Sequence, residues 1–213
     1  MEVFNSIVRF FQEGGIFMYP IMLVLAIGAA IAIERYIYLS VSKGANRRLM
    51  KELMPMLQRG DYQGAYNAAS KSKQAISQIL SYGLARMKTA RQREDIEMAM
   101  EEGMMEVIPR LEKRTHYLAT YANLATLLGL LGTIIGLINA FTAVAGAEPS
   151  QKADMLSGSI SIAMNTTAFG LMVAIPLLLV HTVIQTKTTE IIDSLEMAAV
   201  KFVNLITDKG NSK

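Results

Sequence analysis

Charged and apolar positions fall along this chain in long blocks. Ile16 to Ile33 gives eighteen residues without a charge, Tyr117 to Ala147 thirty-one, and Met155 to Thr186 thirty-two. At 1.5 Å per residue, eighteen helical residues reach about 27 Å, close to the hydrocarbon thickness of a bilayer. The pattern predicts three membrane-spanning helices, the second and third long enough to tilt or to protrude beyond the lipid. Phe17 and Tyr19 at one end of the first block, and Tyr36 and Tyr38 at the other, suit the headgroup level. Helical spacing persists between the blocks. Asn46 to Arg59 reads as a helix ending at Gly60, with Asp61 as N-cap for Tyr62 to Ser70. Gln74 to Lys88 and Glu94 to Arg114 follow; the latter carries Ile96, Met100, Met104, Val107, Ile108 and Leu111 at helical period. It is expected to run directly into the second span, bent or weakened at Pro109. After the third block, Ile191, Ile192, Leu195, Ala199, Phe202 and Ile206 form the stripe of an amphipathic tail helix. Nothing alternates with period two, so the expected fold is all-α: three transmembrane helices, with long helices extending into a cytoplasmic helical domain.

The distribution of basic residues sets the orientation. Ser40 to His116 carries fourteen Lys and Arg against nine Asp and Glu, whereas the segment before the first span has only Arg9 and the second hairpin only Lys152. The positive-inside rule then places the large loop in the cytoplasm, and Lys43, Arg47, Arg48, Arg110, Lys113 and Arg114, close to the span ends, agree. The expected organisation is a periplasmic segment 1–15, a span 16–39, a cytoplasmic helical domain 40–116 and a span 117–147. A periplasmic hairpin 148–154 containing Pro149, a span 155–186 and a cytoplasmic tail 187–213 complete it. A cleaved leader is not expected, because Arg9 is offset by Glu2 and Glu13 and no small-x-small site precedes Glu34.

Composition narrows the chemistry. With 52 % apolar residues, no Cys and two His, the chain suits a membrane protein without disulfides, thiolate metal sites or an expected cofactor. The net charge of +3 is too small to imply nucleic acid. No grouping of nucleophile, base and orienter occurs, nor a phosphate-binding glycine loop, so catalysis on a substrate is not expected.

Gly129, Gly132 and Gly136 recur at three- and four-residue spacing in the second span, where ordinary close packing of helices accounts for them. Thr133 admits two readings. Its hydroxyl bonds back to the carbonyl of Gly129 four residues earlier, or it lines an interhelical path with Thr126, two turns away on the same face. The third span holds Ser157, Ser159, Ser161, Asn165, Thr166 and Thr167 before Gly170. Asn165 is the costliest of these to bury without a partner, and Pro176 leaves a kink or a free acceptor at Met172. His116 and His181 fall near the expected cytoplasmic ends, as interfacial residues. None of the three blocks contains an Asp, Glu, Lys or Arg. If this chain moves protons, another chain must supply the ionisable group.

Several stretches carry a resemblance: Gly14 to Pro20 (GGIFMYP), Ile33 to Tyr36 (IERY), Leu124 to Phe141 (LATLLGLLGTIIGLINAF) and Thr166 to Pro176 (TTAFGLMVAIP). With Arg93 to Glu97 (REDIE) and Pro109 to Lys113 (PRLEK), they resemble the MotA/TolQ/ExbB proton-channel family, in its three-span ExbB/TolQ branch. The resemblance implies a homopentamer in the bacterial inner membrane around an ExbD- or TolR-type single-span partner, whose membrane Asp carries the proton. It further implies work on a TonB- or TolA-type protein. By the same resemblance Thr133 and Thr167 line the ion path, with Thr126, Thr166 and Asn165 as further candidates, while Gly129, Gly132, Gly136, Gly170 and Pro176 serve packing. Two positions depart from the pattern: Ile162 stands where ExbB proteins usually carry Glu, and Thr126 where many members have Pro. A non-conducting membrane scaffold and a MotA-like motor stator subunit remain as alternatives.

Overall fold

The structure, a computed structural model, describes residue 10, residues 14–90 and residues 92–210. Among the described residues, the helices from Met18 onward follow one another as α1 Met18–Arg59, α2 Tyr62–Ser70, α3 Ala75–Arg86, α4 Arg93–Glu112, α5 Thr115–Ala145 and α6 Lys152–Gly210. No strand occurs among the described residues, and three helical stretches are long and apolar enough to cross a membrane. The all-α, three-span reading therefore stands. Of the expected segment 1–15, only Phe10, Gly14 and Gly15 are described; the rest lies outside the described residues, as does the tail beyond Gly210.

The first span and the helix expected from Asn46 are one helix of 42 residues. Nothing between Ser40 and Asn46 removes a backbone donor, so the hydrogen-bond ladder started in the span propagates to Arg59. Gly60, at φ +82, ends it, and Asp61 accepts from the Gly64 N–H at 2.8 Å as the cap of α2. The third span and the amphipathic tail likewise merge into the 59 residues of α6, with Pro176 inside.

One expectation is corrected. α4 does not run into the second span: it stops at Glu112, Lys113 leaves the helix at ψ 131, Arg114 takes the left-handed conformation at φ 65, and α5 begins at Thr115. Pro109 lies in the last turn of α4 without itself ending the helix. The Arg35 guanidinium, 2 % exposed, donates to the Leu111 carbonyl, one of the acceptors that a helix end leaves open. A tertiary contact thus supports a break that no Gly or Asn marks.

Contacts divide the chain into two units. The first comprises the described part of Met1–Ile33 together with Arg114–Val183; the second comprises Glu34–Lys113 and the chain from Ile184 onward. The second unit has a buried apolar core. Ile96, Met100, Val107 and Leu111 of α4 and Ile191, Leu195, Ala199 and Phe202 of α6 are buried, as their helical periods require. Gly83 of α3 lets Met100 and Phe202 close over it, since a Cβ there would lie 2.8 Å from Met100 Cγ and 2.9 Å from Phe202 Cε1. Asn46 Oδ1 accepts from the Ile76 N–H at 3.3 Å, satisfying a donor in the first turn of α3. Lys187 donates to Ser40 Oγ at 2.6 Å, and its ammonium lies 3.9 Å from the Tyr36 ring centroid.

Lys43 hydrogen-bonds Glu190 at 2.6 Å, and that bond, with the charge behind it, holds the Glu190 carboxyl below the usual carboxylate range. A pKa depressed on folding contributes stability above the unfolded value and loses it as pH falls through the folded value. Both side chains are about half exposed, so the contribution is small. Glu190→Gln is expected to melt slightly below wild type at neutral pH. The gap should close as pH drops below the carboxylate range, which melting curves across that range check.

Candidate ion-path site

α5 and α6 meet backbone to backbone in the first unit. A Cβ at Gly129 would lie 3.2 Å from Thr167 Cα, one at Gly136 2.8 Å from Ala163 Cβ, and one at Gly170 2.6 Å from the Ala125 carbonyl oxygen. At Gly132 it would overlap the Thr166 methyl. Small residues at this spacing permit an approach that larger ones forbid. α1 joins through Gly28, whose missing side chain leaves room for Leu177 next to Pro176.

This approach decides where the threonine protons go. Thr167 donates across the interface to the Gly129 carbonyl at 2.8 Å. Thr133 does not take that carbonyl, as its expected back-bond required; it donates instead to Leu130, three residues back, at 2.6 Å. With Gly129 lacking a side chain, α6 comes close enough for its own hydroxyl to claim the acceptor. Thr126 donates to Ala122 within its helix at 3.2 Å. Thr166, 2 % exposed, lies 2.6 Å from the Gly14 carbonyl and 3.0 Å from that of Ile162, one proton shared between two acceptors.

The four threonines therefore divide into two pairs. Thr166 and Thr167 hold elements together, whereas Thr126 and Thr133 bond only within α5. A hydroxyl that donates still offers two lone pairs, so each can accept from a proton carrier brought to it. Asn165 is half-buried beside Thr166, and Ile162, 42 % exposed, places a hydrocarbon where the resemblance expects a carboxylate. His116 is exposed and His181 half-buried.

The reading of the sequence missed the link from Thr166 to Gly14. Gly15 follows at φ +74, a conformation that suits glycine, and the Gly14-Gly15 pair ahead of the span was its only trace in the sequence. Thr166→Val keeps the shape and removes the bond. It is expected to cost about 1 kcal/mol, the usual net worth of one hydrogen bond, measurable as a lowered melting temperature in detergent.

Large side chains on α5 and α6 point outward: Leu127, Ile134, Phe141 and Leu179 are half exposed or more. Lipid or other chains must cover them. Three uncharged, glycine-packed spans with hydroxyls at their contacts define a multi-pass membrane protein.

The chain belongs to the MotA/TolQ/ExbB proton channel family, whose model matches residues 71–197. It is 27 % identical to the biopolymer transport protein ExbB homolog of Methanothermobacter thermautotrophicus, over 92 % of this chain and 69 % of that protein. It is 28 % identical to biopolymer transport protein exbB1 of Vibrio cholerae, over 81 % and 76 %. The Tol-Pal system protein TolQ of Haemophilus influenzae matches at 37 % over 39 % of this chain and 36 % of its own length. These relatives put the chain in the ExbB/TolQ branch as a proton-channel-type subunit.

Proposed function

We propose that copies of this chain, five by the resemblance in its motifs, form the shell of a proton-driven stator in the bacterial inner membrane. The amino terminus faces the periplasm and the second unit the cytoplasm, in keeping with the basic residues of the 40–116 loop. A single-span ExbD- or TolR-type partner occupies the shell and contributes a membrane Asp. Proton flow through the pair moves a TonB- or TolA-type periplasmic protein, energising outer-membrane transport or a Tol-like envelope process.

One observation carries this reading: the three spans contain no Asp, Glu, Lys or Arg, yet the chain belongs to a proton-channel family. Membrane proton relays use an intramembrane carboxylate or His, and since His181 falls near the cytoplasmic end of the third span, the proposed carboxylate comes from a partner. The hydroxyls of Thr133 and Thr126 supply acceptors along one face of α5, and Ile162 makes the partner's group more necessary. The test is to express the chain with a neighbouring gene's product that has one apolar span with an Asp near its start, and to weigh the complex by native mass spectrometry. A ring of this chain holding the single-span protein is expected; absence of both overturns the proposal.

Ile162 favours a second reading, a scaffold whose helices assemble without conducting. Partner-dependent proton flux separates the two, through the Thr133 substitution treated in the Discussion.

A further inference from the structure

The second unit carries two surfaces that the function above leaves unused. One is an apolar groove of about 360 Å³ along α1 and α6, lined by Met50, Met54, Leu195 and Ala198 and edged by Arg47 and Lys51. The other is the outer face of α4, where Glu94, Met98, Glu101, Glu102 and Met105 lie opposite that helix's buried face, with Met98 62 % and Met105 74 % exposed. Glu97 and Glu106 are already paired with Arg93 and Arg110. Among the described residues, Arg47, Lys51, Glu94, Glu101 and Glu102 form no ion pair. One surface is thus cationic and the other anionic, and both present Met, whose flexible thioether fits irregular apolar surfaces.

We infer that the acidic face of α4 on one copy docks into the groove on the next, head to tail, in the second unit. This rests on the shell reading above. Contact between two different patches builds a ring when the rotation closes. Rotation about an axis parallel to the helices leaves a residue's height unchanged, so the two patches can meet only at equal height. The register within the unit meets that condition. Arg35 on the Leu111 carbonyl aligns α1 with α4, and Arg93 on Asn204 Oδ1, at 2.9 Å, aligns the far end of α4 with α6. At about 1.5 Å per residue, Arg47 to Met54 lie about 18–29 Å along α1 from Arg35, and Met105 to Glu94 about 9–26 Å along α4 from Leu111. The spans of height overlap, charge opposes charge, and apolar surface meets apolar surface.

The chain has no Cys, so introduced thiols are the only ones present. Met50→Cys on a copy with one affinity tag and Met98→Cys on a copy with another, at about 22 Å and about 20 Å on that scale, are coexpressed as full-length chains, and the membranes are treated with a mild oxidant. Covalent dimers carrying both tags are expected in several-fold excess over same-tag dimers. R47E with K51E on the Met50→Cys copy should lower their yield, and E94K with E101K on the other copy, the acidic residues nearest in height, should restore it. If the wild-type chain forms a ring by native mass and mixed dimers are absent or no more abundant than same-tag ones, the contact is overturned while the shell reading stands. If the wild-type chain forms no oligomer, both fall together.

Discussion

Gly170→Val is expected to lower the melting temperature and the detergent-extracted yield of the chain strongly. A Cβ at this position would lie 2.6 Å from the Ala125 carbonyl oxygen and 3.1 Å from Gly129 Cα, and both neighbours are backbone that no rotamer change can withdraw. α5 and α6 must part. Overpacking of this kind costs about 1–3 kcal/mol. Parting also stretches the Thr167 to Gly129 hydrogen bond, which adds about 0.6–1.7 kcal/mol. Against a typical stability of about 5–15 kcal/mol, the sum removes a large share. The measurements are the yield of monodisperse detergent-extracted protein and its melting temperature. Gly146→Ala serves as control, because a Cβ there meets nothing within 4 Å and should change neither. Wild-type yield and melting temperature for Gly170→Val would overturn the close contact.

Thr133→Val is expected to have the opposite character: intact assembly with proton flux reduced. The Thr133 proton goes to Leu130 in the same helix, so the substitution breaks no bond between helices. It does remove a half-buried oxygen whose lone pairs can accept from a protonated carboxyl or a hydrated proton. Loss of one such bond at the barrier, worth about 1–1.5 kcal/mol, slows transfer by roughly tenfold. The check is partner-dependent proton uptake by vesicles at matched protein content, with the oligomer confirmed by native mass. Unchanged flux would move the reading to the scaffold. Thr167→Val reports on a mixture, because it also deletes the bond that joins α5 to α6; a lower melting temperature should accompany any loss of flux.

The contrast between these two threonines marks how far the sequence could be read. The spacing of Gly129, Gly132 and Gly136 identifies a close-packed face, since the period of one helix is enough to find it. Asp61 announces its cap for the same local reason. The partner of the Gly129 carbonyl depends on how α6 is shifted along α5, and the periodicity of a single segment does not encode that register. Thr133 was therefore matched to an acceptor that Thr167 takes. The break at Arg114 escaped for a related cause: left-handed residues are usually Gly or Asn, and here an Arg adopts the conformation beside a tertiary contact from Arg35, 76 residues from Leu111 in sequence. The continuity of α1 past Ser40 was missed in the opposite direction. A change from apolar to charged side chains marks the likeness to lipid or water, but only Pro, Gly or a competing cap stops a helix.

The chain passes between its two units at three places. At Ile33–Glu34 and Val183–Ile184 it does so inside unbroken helix; at Lys113–Arg114 it does so through an extended residue and a left-handed one. A continuous hydrogen-bond ladder transmits twist, and two residues outside the ladder interrupt it. Of the three crossings, those of α1 and α6 keep their hydrogen-bond ladder unbroken, and only the one that leads into the helix bearing Thr126, Thr133 and the glycine face interrupts it.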